Sequence, residues 1–168
     1  MEAKKVLIVY YSRTGTTRAA AEAIASELGA DLEELIDTKN RGGPLGFAIA
    51  AKDAALKRPA VIEDVKRDPA AYDLTLIGTP VWAGTMCCAV RACLTQQRGR
   101  LPHVGFFLTT MNSGAGRTFR HMAELCGKEP VAALPLLARE VKSGRHVDKV
   151  KAFAEQLRAG GRPTPPES

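Results

Sequence analysis

Two hydrophobic patterns alternate along this chain. Val6 to Tyr10 is continuously apolar, the pattern of a strand buried on both faces of a parallel sheet. Ala20, Ala23, Ile24 and Leu28 then recur at helical spacing, and Gly29 stands where a helix C-cap is expected. Asp31 to Ile36 reads as a second strand and Leu74 to Gly78 as a third, which ends at Thr79-Pro80. Met86, Val90, Cys93 and Leu94 line one face of a following helix. Val104 to Thr109 predicts a fourth strand, and Phe119, Met122, Ala123 and Cys126 predict another helix. Val131 to Leu137 is the fifth strand, placed at a sheet edge by Pro135. Val147, Val150, Phe153, Ala154 and Leu157 form the stripe of the last helix. Five such steps predict an α/β fold, a parallel sheet with helices on both faces. Between strands two and three, Thr38 to Val65 is an enlarged crossover. It holds Arg41-Gly42-Gly43-Pro44 and a helix-compatible run from Leu45 to Lys57, stopped by Pro59.

Composition adds limits. With 168 residues, 45% hydrophobic and 25% charged, the chain can bury one core. The expected organisation is one domain over residues 1–159 and a disordered tail over 160–168, rich in glycine and proline. No apolar run approaches the roughly 20 residues of a membrane helix. The five apolar residues after Lys5 fall short of a signal-peptide core of about 7–15. A cytoplasmic protein with no membrane association is expected. Cys87, Cys88, Cys93 and Cys126 form no C-x-x-C and stand at no zinc-finger spacing from His103, His121 or His146, so no metal site is expected. The first three read as buried hydrophobes within one helix, with redox activity at Cys87 or Cys88 as the other reading. Net charge is +6, yet residues 1–90 hold 11 Lys/Arg against 12 Asp/Glu, and residues 91–168 hold 13 against 6. Aromatics are 5% and do not cluster with the basic residues, which argues against nucleic acid.

In an open parallel sheet, ligands bind beyond the carboxyl ends of the strands. Three loops fall there. Ser12-Arg13-Thr14-Gly15-Thr16-Thr17 combines hydroxyls, a glycine and the free N–H groups of a helix N-terminus, the makings of a phosphate pocket. Arg13 can add a charged contact or point to solvent. The same residues also make an ordinary helix cap. Thr79-Pro80-Val81-Trp82-Ala83-Gly84-Thr85 displays the only tryptophan, either to stack on a flat ring or to pack into the core. Thr110-Met111-Asn112-Ser113-Gly114-Ala115-Gly116 is small and polar, suited to a ligand edge or to a plain strand-to-helix turn.

Together these residues resemble the flavodoxin family. Ser12-x-Thr14-Gly15-x-Thr17 is similar to its phosphate loop, and Gly78-x-Pro80-x-Trp82 to the loop whose tryptophan flanks the isoalloxazine ring. The Asn40-Arg41-Gly42 stretch is similar to one branch of flavodoxin-like proteins. The order of elements matches over roughly residues 4–158. The resemblance implies a doubly wound three-layer sandwich, a five-stranded parallel sheet in order 2-1-3-4-5, and one non-covalent FMN. It implies a phosphate held by Ser12, Arg13, Thr14, Gly15, Thr16 and Thr17. It implies a ring against Pro80, Val81, Trp82, Ala83 and Gly84, with Asn112 and Gly114 at the edge. In the family, the peptide after the tryptophan can turn over on reduction; Ala83-Gly84 suits a type II turn with Gly84 at its third residue.

This chain departs from the family pattern in two ways. Many flavodoxins are strongly acidic, whereas its pI is 9.3. Many also carry a tyrosine in the third loop, and Thr109 to Gly116 contains no aromatic residue. That leaves one flavin face more open to a quinone, a substrate or a hydride donor. Neither 79–85 nor 110–116 contains Asp or Glu, so negative charge on reduced flavin is opposed less than in acidic relatives. The resemblance implies an FMN-binding electron carrier, with no catalytic side chain, serving a redox partner protein or a small-molecule acceptor. The alternatives are a small NAD(P)H-dependent FMN or quinone reductase and a flavin-free binding module. No G-x-G-x-x-G dinucleotide fingerprint is present. His121 reads as a helix-surface residue. A phosphorylated receiver fails because Tyr10-Tyr11-Ser12 and Thr79-Pro80 stand where its carboxylates belong. A cysteine phosphatase fails because no cysteine precedes Cys87.

Overall fold

The computed structural model describes residues 4–38, 43–56 and 61–160. The Asn40-Arg41-Gly42 stretch, Pro59 and the tail beyond Gly160 lie outside the described residues. Strand β1 (Val6–Tyr10) is buried along its whole length. Val6, Ile8 and Tyr10 face one apolar cluster, and Leu7 and Val9 face another on the opposite side. This two-sided burial explains the unbroken apolar run. Helix α1 (Thr16–Leu28) follows β1 and ends at Gly29 with φ 64, the left-handed cap a glycine permits. Strand β2 is Asp31–Glu34 and helix α2 is Gly43–Ala55. Strand β3 (Leu74–Trp82) leads through the short β4 (Thr85–Met86) to α3 (Cys88–Gln97). Strand β5 (Val104–Thr110), helix α4 (Ala115–Cys126), strand β6 (Ala133–Leu137) and helices α5 (Ala138–Lys142) and α6 (Val147–Arg158) complete the order.

The sheet order is β2-β1-β3-β5-β6, with these neighbours parallel and β4 added antiparallel to β3. Without the two-residue β4, the parallel strands run 2-1-3-4-5 in chain order, as expected. Helices α1 and α6 cover one face of the sheet; α2, α3 and α4 cover the other, so the sandwich has three layers. Among the described residues, no helix is long and apolar enough to cross a membrane.

Several boundaries differ from the sequence reading. The third strand does not stop at Thr79-Pro80 but runs on to Trp82. Tyr10 pairs with Gly78 at the last β1 position, and Tyr11 N–H then donates to the Gly78 carbonyl. Polar groups of even-numbered β3 residues face β1, while Thr75 donates toward β5. Pro80 therefore lacks an N–H only where the β1 ladder has already ended, so proline breaks nothing there. Met86 lies in β4, not in the helix, and Cys87 is the N-cap of α3. Pairing of Val81 with Met86 takes both residues into the hairpin. The second strand is shorter than Asp31–Ile36, because Ile36 and Thr38 pair instead with the returning segment at Glu63 and Val61. The fifth strand begins at Ala133 and is an edge strand with Pro135 exposed. Val147 opens α6 exposed to solvent and does not join its buried stripe. Helix α5 carried no signal, being five residues long.

Candidate functional site

The carboxyl ends of β1, β3 and β5 bring the three loops to one pole of the sheet. At the first, Gly15 is the N-cap of α1 with φ 97, a left-handed conformation that strains any residue with a Cβ. Ser12 Oγ accepts a hydrogen bond from Gly15 N–H at 3.0 Å and so folds the loop onto itself. No side chain caps α1 and its first turn holds no acidic residue. The ordinary cap reading therefore does not describe this loop. A Cβ at Gly15 would meet nothing within 4 Å. Open space beside the positive end of a helix dipole is a fitting seat for an anion.

The hydroxyls of this loop divide into two groups. Thr14 and Thr16 bring their Oγ1 atoms to 3.5 Å of each other at the exposed side. Thr17 is 1% exposed and bonds inward to Thr109 Oγ1 at 2.8 Å, tying α1 to the end of β5. Its hydroxyl is thus committed to the core, and what it offers a ligand is its backbone N–H. The Arg13 guanidinium stands 5.3 Å over the ring of Phe47 on α2, a cation–π contact. Arg18 pairs with Glu34, and this pairing raises its pKa.

The second loop is a hairpin. Trp82 pairs with Thr85, and the two residues between them, Ala83 and Gly84, have φ 50 and φ 74. Positive φ at both is the sign pattern of a type I′ hairpin turn, not the type II turn expected; the right-handed twist of paired strands favours the primed turn. Gly84 does hold the positive φ anticipated for it. Trp82 is 9% exposed and packs in the cluster beneath α2, α3 and α4, its ring edge-on to Tyr11 with centroids 5.5 Å apart. Of the two readings of the tryptophan, core packing is the one this geometry displays. Pro80 and Val81 are half-buried beside it.

The third loop packs onto this hairpin. Gly114 is the N-cap of α4 at φ 98, and a Cβ there would stand 3.2 Å from Val81 Cγ1 and 3.4 Å from Gly84 Cα. Thr110 Oγ1 donates to the Ser113 carbonyl, while Met111, Asn112 and Ser113 are exposed. Behind the hairpin, Thr85 Oγ1 lies 2.8 Å from His121 Nδ1 and accepts from Arg91 at 3.3 Å. His121 is therefore a half-buried partner of the hairpin and not a plain surface residue. Burial lowers the Arg91 pKa. Cys87 and Cys93 are buried thiols pushed up to about 12, so neither presents a thiolate at neutral pH. Sequence reasoning missed Tyr11, Phe47, Thr109, Arg91 and His121. Tyr11 adjoins the first motif and was within reach; the others enter only through tertiary contacts.

A separate cavity of about 190 Å³ lies along the outer edge of β2. Glu33, Glu34, Glu63 and Asp64 line it, and these carboxylates repel a phosphate.

No protein-family model matches the sequence, and no curated protein matches it. Solved structures do. A flavoprotein from Lactobacillus acidophilus, crystallised in complex with FMN, is 27% identical with a TM-score of 0.68, over 84% of this chain and 98% of that one. Oxidised flavodoxin 2 from Bacillus cereus is 18% identical with a TM-score of 0.60, over 93% and 99%. The apo form of an NADH:FMN oxidoreductase is 11% identical with a TM-score of 0.56, over 96% and 92%. The chain has the flavodoxin-like fold.

Proposed function

We propose that this flavodoxin-like chain binds FMN non-covalently at the pole formed by its three loops and works as a redox protein. The observation that carries this reading is the uncapped N-terminus of α1, opened by Gly15 at φ 97, in a fold shared with a protein crystallised with FMN. The residues fit the group. Backbone N–H groups of Thr16 and Thr17, with the hydroxyls of Ser12, Thr14 and Thr16, would hold the phosphate, and Arg13 would balance its charge. Pro80, Val81, Ala83 and Gly84 would form the wall for the ring, with Trp82 packed in the core behind them, and Asn112 and Gly114 its edge. Bound FMN supplies one- and two-electron redox chemistry. The chain's own part is to bind and orient, and no side chain is assigned a proton to move.

A carrier is the leading form of this proposal, serving a redox protein or a small electron acceptor. A reductase is the second form, favoured by one feature: Met111, Asn112 and Ser113 are exposed and none is aromatic, which leaves room for a hydride donor. Four buried free cysteines suit the reducing cytoplasm. Purified protein should be yellow and should release FMN on denaturation. Anaerobic NADH or NADPH should leave a carrier yellow and bleach a reductase directly. Colourless protein that ignores added FMN would instead point to the flavin-free module.

A further inference from the structure

The surface beside the three loops carries a charge pattern that flavin binding does not use. From Leu74 to Ala123, fifty consecutive residues contain five arginines and no Asp or Glu. Three of these arginines have partners. Arg100 pairs with Asp68 at 2.8 Å, Arg98 donates to the Leu125 carbonyl, and Arg91 donates to Thr85. Arg117 and Arg120 differ: both are exposed and, among the described residues, neither makes an ion pair or hydrogen bond. They stand three residues apart on α4, where side chains share a face. Arg117 Nη1 lies 3.6 Å from the point where a Cβ on Gly84 would be, so this face adjoins the hairpin turn. Met111, 72% exposed, projects from the loop immediately before α4.

An exposed methionine in the loop before α4 and two arginines on its solvent face, with Glu124 one turn further along that face as the nearest carboxylate in sequence, have the make-up of a protein interface, where Met and Arg are enriched. Charge complementarity then sets the sign of what it meets. We propose that the surface formed by Met111, Arg117 and Arg120 docks the acidic face of a redox partner protein beside the hairpin turn. The proposal rests on the flavin reading for what passes between the partners, but not for the docking itself. A nucleic acid would use the arginines and gain nothing from the thioether.

The test uses the full chain, immobilised, with three probes: an acidic [2Fe–2S] ferredoxin, a basic c-type cytochrome and a single-stranded oligonucleotide. The variants are Arg117→Glu/Arg120→Glu and Lys4→Glu/Lys5→Glu; the second makes the same charge change at the opposite pole, where both lysines are exposed. The ferredoxin should bind at low ionic strength and lose its binding by about 0.3 M salt. The arginine variant should weaken it by about tenfold or more, and the lysine variant by less than about twofold. Equal loss in both variants would reduce the effect to net charge and overturn the proposal. So would no capture of the ferredoxin, stronger capture of the cytochrome, or stronger capture of the oligonucleotide. If the glutamate pair does not fold, Arg117→Gln/Arg120→Gln should show the same selectivity in weaker form. FMN titration of each protein runs in parallel. Arginine-dependent capture without FMN uptake sinks the flavin reading alone, and FMN uptake without such capture sinks the docking alone.

Discussion

The hydrogen bond between Thr17 and Thr109 joins the first turn of α1 to the end of β5, two of the elements that build the candidate site. The hydroxyls are 2.8 Å apart in residues 1% and 4% exposed, and among the described residues neither has another hydrogen-bond partner. Thr17→Val removes one and leaves the other buried and unpaired; Thr109→Val does the reverse. An orphaned buried hydroxyl costs about 1–3 kcal/mol, whereas removing both partners for groups of similar shape is nearly neutral. Each single variant should therefore lose about 1–2 kcal/mol of stability, and the double variant less than either single. With a urea slope of about 2 kcal/mol per M, the single variants should lower the unfolding midpoint by roughly 0.5–1 M. Urea unfolding followed by circular dichroism gives all four corners of the cycle. A double variant that loses the sum of the two singles would refute the pairing and the tie it makes between α1 and β5.

Other consequences can be measured alongside. At Gly78 a Cβ would fall 2.1 Å from Phe107 Cζ inside the core, so Gly78→Ala should destabilise by about 2–3 kcal/mol or more in urea, and Phe107→Leu in the same chain should recover part of it. At Gly15 the added Cβ has free space but the backbone sits at φ 97, so Gly15→Ala should cost about 1–2 kcal/mol from backbone strain alone and weaken FMN uptake. Cys87 and Cys93 should resist iodoacetamide in the folded protein at pH 8 and label on unfolding. Their ordinary pKa of 9.0 is pushed up to about 12 by burial, so the stabilisation is complete below pH 9 and is lost as pH rises from 9 toward 12. Urea midpoints that stay flat across that window would contradict it.

Much of this architecture was legible because parallel strands buried on two faces leave unbroken apolar runs, as in Val6 to Tyr10 and Val104 to Thr109. The site was legible in part. Gly15 stands out where a loop enters a helix, since only glycine takes φ 97 without strain. Apolar runs say little about where a strand stops, however, and Pro80 looked like a terminator. Its place in β3 depends on β1 having already ended, a fact of sheet register. The Ala83-Gly84 turn was visible as a turn but not as a hairpin, because β4 is two residues long. Local sequence places Thr17 in the phosphate loop, but the bond that occupies its hydroxyl comes from Thr109, 92 residues away, and no local pattern carries it.

The account turns on a phosphate held at the start of α1. Titration of the apo-protein with FMN and with riboflavin, followed by flavin fluorescence, isolates that contact because the two ligands differ only by the phosphate. Two charge-assisted hydrogen bonds from Thr16 and Thr17 N–H, at about 1.5 kcal/mol or more each, amount to about a hundredfold in affinity. FMN should quench on binding, with riboflavin weaker by about that factor. Equal affinity for the two, or no uptake of FMN, would contradict the account.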